Sequence, residues 1–79
     1  MQKLRPDMDI GKNIQDQRKR CHLTQEDVVA QLEVMELHLT RSTYSKIESN
    51  SYNIRISELV ALKKIFKMSS YDPFFVGLD

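Results

Sequence analysis

A chain of 79 residues with net charge +1 suits one small domain, near the size at which a single apolar core only just suffices. Two Gly and two Pro beside 41% hydrophobic residues disfavour a turn-rich β-sandwich or barrel and favour helices on short connections. No apolar run approaches the roughly 20 residues that cross a bilayer, which excludes a membrane-spanning helix.

Residues 1–8 read as an N-terminal arm. They lack the apolar stretch of a signal peptide, and a cytoplasmic protein is expected. From 9 to 21, "DIGKNIQDQRKRC" sets Ile10, Ile14, Gln17, Arg18 and Cys21 along one face of a helix. Asp7 or Asp9 can cap its start, and Arg18, Lys19 and Arg20 suit the negative end of its dipole. A single cysteine, Cys21, cannot form an internal disulfide, which agrees with a reducing compartment.

"LTQEDVVAQLEVM" predicts a second helix from 25 to about 35. Thr24 and Asp27 make a capping box with a short acid, and Val28, Val29, Leu32 and Met35 form its apolar stripe. After "ELHLT", Thr40 is the expected N-cap of a third helix over 41–48. Tyr44 and Ile47 give it a narrow buried edge, while Arg41, Ser42, Ser45 and Lys46 lie on the opposite side. So polar a helix is stable only when its neighbours hold it.

"SNSYNIRI" reads as a loop, with Asn50 in the left-handed position that commonly ends a helix. Ser57 and Glu58 open a fourth helix, "SELVALKKIFKM", whose buried face is Leu59, Leu62, Ile65 and Phe66. In "SSYDPFFVGLD", Asp72 is the expected N-cap and Pro73 the first helical residue of a short fifth helix. The core is therefore 9–69, followed by a tail, 70–79. Phe74, Phe75, Val76 and Leu78 in that tail are more apolar surface than one short helix can bury, and a homodimer built around this C-terminal region is expected.

Charge distribution says more than the total. Residues 37–47, "LHLTRSTYSKI", carry Arg41, Lys46 and His38 and no acid, in a chain with 11 acids. A cationic, hydroxyl-bearing helix face suits a polyanion, because carboxylates there would repel it. Enzymatic chemistry has no such support. There is no phosphate-binding Gly loop, no metal-ligand cluster and no nucleophile–base pair, so neither cofactor nor metal is expected.

The ordered pieces "IGKNIQDQR", "LTQEDVVAQL", "LTRSTYSKIES" and "SELVALKKIFKMS" resemble the Cro/repressor-type (lambda-repressor-like, XRE-type) helix-turn-helix DNA-binding family, from Ile10 to about Phe75. The resemblance implies an all-α fold, a compact five-helix lambda-repressor-like domain whose third helix enters the DNA major groove. It implies that Gln25 reaches a phosphate from the start of the second helix. Arg41, Ser42 and Lys46 would face base edges, with Ser45 on the same outer side and Thr43 toward phosphate. Ser49 and Asn50 would meet the backbone, and Arg18 would tie the first helix to Glu48.

The partner so implied is double-stranded DNA, read by a transcriptional regulator, a repressor, on a palindromic operator. A protein partner, as for an antitoxin of the same fold, is the alternative. The chain departs from the family pattern twice. Ala30 to Leu37 spans seven residues where the family commonly has three, an excess of about one helical turn. His38 stands where a Gly normally supplies positive φ.

Overall fold

The structure, a computed structural model, describes residues 9–77. Among these residues five helices follow one another: α1 (Ile10–Arg20), α2 (Gln25–Val34), α3 (Arg41–Glu48), α4 (Ile56–Ile65) and α5 (Asp72–Phe75). None is long and apolar enough to cross a membrane. The arm, Asp7 and Leu78 lie outside the described residues.

Each helix starts from a local signal. Asp9 caps α1 by accepting from the Lys12 N–H at 3.3 Å. At α2 the Thr24 hydroxyl accepts from the Asp27 N–H at 3.0 Å and the Asp27 carboxylate accepts from the Thr24 N–H at 2.9 Å, a complete capping box. These bonds hold the Asp27 carboxyl below its ordinary range, the backbone one contributing most. Thr40 caps α3 through the Thr43 N–H at 3.0 Å. The start of α4 falls one residue earlier than its sequence suggests: Arg55 is the N-cap, and Glu58 accepts from the Arg55 N–H at 2.8 Å. In α5 the N-cap is Tyr71 rather than Asp72. Asp72 and Pro73 are the first two helical residues, and the Asp72 N–H finds the Ser70 hydroxyl at 3.3 Å.

The ends of α1 to α4 share one device. His22, Glu36, Asn50 and Lys67 all have left-handed φ, 59°, 63°, 62° and 55°. After each, the chain folds back on its own helix. Leu23 N–H bonds Arg18 O at 3.2 Å, Leu37 bonds Leu32 O at 2.9 Å, Ser51 bonds Lys46 O at 2.9 Å and Met68 bonds Lys63 O at 3.0 Å. This is the Schellman closure, which satisfies carbonyls that a helix end leaves open. Two of the four, Glu36 and Lys67, are residues with no special tolerance for that region.

The long connection after α2 takes its form from this closure. α2 stays helical to Val34 and stops on Glu36, so the positive φ belongs to Glu36 and not to His38. The added length extends the helix and then runs on through Leu37, His38 and Leu39 to the Thr40 cap. Leu37 and Leu39 pack against the core and pin it, and exposed His38 pairs with Glu33. Met35, expected on the apolar stripe, is 40% exposed, and Val34 is 84% exposed. With one added turn, the far end of α2 has passed beyond the elements that cover Val28 and Leu32.

The core joins α1 (Ile14), α2 (Val28, Leu32), α3 (Tyr44, Ile47) and α4 (Leu59, Leu62, Phe66), with Phe74 of α5 closing the bottom. Phe66 and Phe74 meet edge to face, centroids 6.4 Å apart. The Asn13 amide donates to Phe74 O and Val76 O, both at 2.9 Å, which fixes α5 on α1. At the other end of α1, Cys21 Sγ and Arg20 donate to the carbonyl of Phe66, the residue that ends α4. Cys21 is thus a half-buried helix-end residue with a free thiol.

Candidate nucleic-acid interface

Gly11 sets where α3 lies. A Cβ at this position would stand 2.5 Å from the Glu48 carbonyl oxygen and 2.6 Å from that of Ile47, so the start of α1 touches the backbone at the end of α3. Only a residue without a side chain allows that approach. Sequence patterning treats Gly11 as a weak helix residue and does not reveal this role.

A buried ion pair completes the junction. Arg18 Nε donates to Glu48 Oε2 at 2.6 Å and Nη2 to Oε1 at 3.1 Å, while Nη1 donates to the Leu23 carbonyl at 2.8 Å. The fork is bidentate and its third arm is used, which a desolvated guanidinium requires. The hydrogen bonds that Arg18 donates to Glu48 raise the Arg18 pKa above its ordinary value against the cost of burial. Burial opposes ionisation of Glu48, but the bonds from Arg18 and Gln25 outweigh it and hold the carboxyl below its ordinary range. The phenol of Tyr44 lies beside the pair with no hydrogen-bond partner, and burial pushes its pKa up.

Held in this way, α3 shows its other side to solvent. Tyr44, Ile47 and Glu48 are buried, whereas Arg41, Ser42, Ser45 and Lys46 are exposed. Thr43 is half-buried and its hydroxyl accepts from that of Thr40 at 3.0 Å. Ser49 is exposed; its hydroxyl donates to Lys46 O at 3.2 Å and lies 2.8 Å from that of Ser51. Asn50 holds the left-handed end of the helix. Gln25 stands apart from the outer face, for its amide donates to Glu48 Oε1 at 3.1 Å and it is half-buried. The geometry brings Arg41, Ser42, Ser45 and Lys46 together on one face and ties Gln25 to the buried pair behind it.

The acid-free character of 37–47 holds along the chain but not in space. Glu26, in the first turn of α2, brings its Oε2 within 3.1 Å of Arg41 Nε, and both side chains stay largely exposed. No group of acids, histidines and cysteines that could hold a metal occurs among the described residues.

Two successive helices, the second with a cationic outer face and a buried inner edge, define a DNA-binding helix-turn-helix regulator. The Helix-turn-helix family model matches residues 14–72, and the chain belongs to this family, the Cro/C1-type or XRE-type transcriptional regulators. No curated protein and no solved structure matches the chain.

Proposed function

We propose that the domain is a sequence-specific transcriptional repressor, acting in the cytoplasm, that reads a palindromic operator as a homodimer. The observation that carries this reading is the outer face of α3. Arg41, Ser42, Ser45 and Lys46 are exposed together on a helix anchored through Tyr44, Ile47 and the Arg18–Glu48 pair. A rigid backing holds a base-reading side chain in register.

In this mechanism α3 lies in the major groove. Arg41 donates two hydrogen bonds to guanine O6 and N7, a pairing worth about 1–3 kcal/mol of discrimination. Ser42 and Ser45 bond base edges or backbone. Lys46 adds charge, and Thr43, Ser49 and Asn50 meet phosphates, which positions the helix without specifying sequence. Gln25 reaches its phosphate from the start of α2, beside its bond to Glu48. Repression follows from occupancy alone, since a bound domain excludes other proteins from the same duplex.

The exposed tail supports dimerisation. Phe75 and Val76 are 43% and 66% exposed beside α1, in a domain that otherwise hides its aromatic residues well. Two copies joined there would address two half-sites about 34 Å apart, one turn of B-DNA.

Selection of bound duplexes from a random pool tests the reading. It predicts a two-fold-related motif and binding that weakens steeply with salt. Enrichment of no motif, or a complex indifferent to salt, would speak for a protein partner instead.

A further inference from the structure

We infer that Glu26 is a positioning residue for Arg41, narrowing which atoms of the guanidinium reach the bases. The inference rests on the proposed base-reading role of Arg41.

Glu26 and Arg41 come from different helices, each at the exposed start of its own: Glu26 in the first turn of α2, Arg41 as the first residue of α3. The contact is through Nε, at 3.1 Å from Glu26 Oε2. Nε is the inner nitrogen of the guanidinium. A carboxylate on it occupies one edge of the fork and leaves the end-on pair, Nη1 and Nη2, as the edge that matches guanine O6 and N7. The side chains are 62% and 66% exposed, and a pair so open to water contributes little to folding. Its consequence is therefore orientation rather than stability.

A charge argument points the same way. An acid at the start of the helix beside α3 repels phosphates, so Glu26 lowers the affinity of the domain for any duplex. Unanchored, Arg41 could turn to the nearest phosphate, a contact that carries no sequence information. Anchored by Glu26, it is held off the backbone and aimed at a base. The residue thus trades general affinity for discrimination. Those two effects have opposite signs when Glu26 is removed, and that makes them separable.

The experiment compares wild type, E26A, E26Q and R41A in selections from a pool of random-sequence duplexes. Each is also titrated with a random-sequence duplex of fixed length. Glu26 is exposed and the Thr24–Asp27 capping box stands without it, and a thermal melt of each variant checks that it folds. In wild type, one guanine per half-site depends on Arg41 and disappears in R41A. In E26A, preference for that guanine falls about fivefold, part of the range that a bidentate pair supplies, while affinity for the random duplex rises. E26Q shows the same rise in general affinity, having lost the same charge. It keeps most of the guanine preference, because its amide oxygen can take the place of the carboxylate oxygen beside Nε. If R41A loses the guanine but E26A keeps it in full, the positioning role is wrong and base reading by Arg41 stands. If R41A selects the wild-type motif, or wild type enriches none, base reading itself is wrong and the inference falls with it.

Discussion

Arg18 near the end of α1 and Glu48 at the end of α3, thirty positions apart in the chain, close a two-bond ion pair in which Nε–Oε2 is 2.6 Å and Nη2–Oε1 is 3.1 Å. Removing one partner leaves the other charged and buried. Glu48→Ala is predicted to cost about 3 kcal/mol and to lower the melting temperature by more than about 10 °C. Acid should imitate part of this effect. Its bonds hold the folded-state pKa of Glu48 below the ordinary value, so its contribution is present above that ordinary value and is lost as pH falls through the depressed one. In urea titrations, the stability advantage of wild type over E48Q should be large near neutral pH and shrink below about pH 4. A pH-independent difference would show that the charge on Glu48 is not what matters.

Gly11 carries an opposite expectation to the usual one. In an exposed helix, Gly→Ala stabilises by about 0.5–1 kcal/mol. Here the added methyl would meet two backbone carbonyls at 2.5 and 2.6 Å, neither of which can swing aside. G11A should instead lose about 1–3 kcal/mol by overpacking, and it should weaken duplex binding by shifting α3. A melt equal to or higher than that of wild type would mean that the helices part without cost.

The left-handed helix ends make a graded prediction. A residue with a Cβ is disfavoured there by about 1–2 kcal/mol, which glycine avoids at some cost in unfolded-chain entropy. Glu36→Gly and Lys67→Gly, both at exposed positions, should each stabilise by about 0.5–1 kcal/mol. Asn50→Gly should gain less, since Asn already tolerates the region. Equal effects at all three sites in chemical denaturation would contradict the backbone explanation.

The tail yields a prediction on assembly. Phe75→Asp together with Val76→Asp leaves buried Phe74 in place and should convert a dimer to a monomer in sedimentation at tens of micromolar. Operator binding should then weaken strongly, because two half-sites no longer act as one. Wild type that sediments as a monomer throughout that range would remove the dimer from the mechanism.

Much of this was legible in the chain. The spacing of Leu59, Leu62, Ile65 and Phe66, the Thr24–Asp27 box and the Tyr44–Ile47 edge are local patterns, and the folded helices follow them. The outer face of α3 was legible for the same reason, as what remains once the buried edge is assigned. What escaped depends on how two helices meet. Gly11 matters only because of where Glu48 ends, and Glu26 reaches Arg41 only across the α2–α3 connection. The left-handed turn falls on Glu36 and not on His38, where the family pattern puts it, and neither residue carries the glycine signal by which such a turn is usually read. Gln25 follows from family position alone, and its hydrogen bond to buried Glu48 leaves no trace in local sequence.

The most direct measurement of the central claim is an NMR titration of the labelled domain with a duplex recovered by selection. Amides of Arg41, Ser42, Ser45 and Lys46 should shift most, with smaller changes at Gln25, Ser49 and Asn50 and little change on the far surface of α4. Shifts that spare α3 and gather elsewhere on the domain would contradict the claim that this helix face reads DNA.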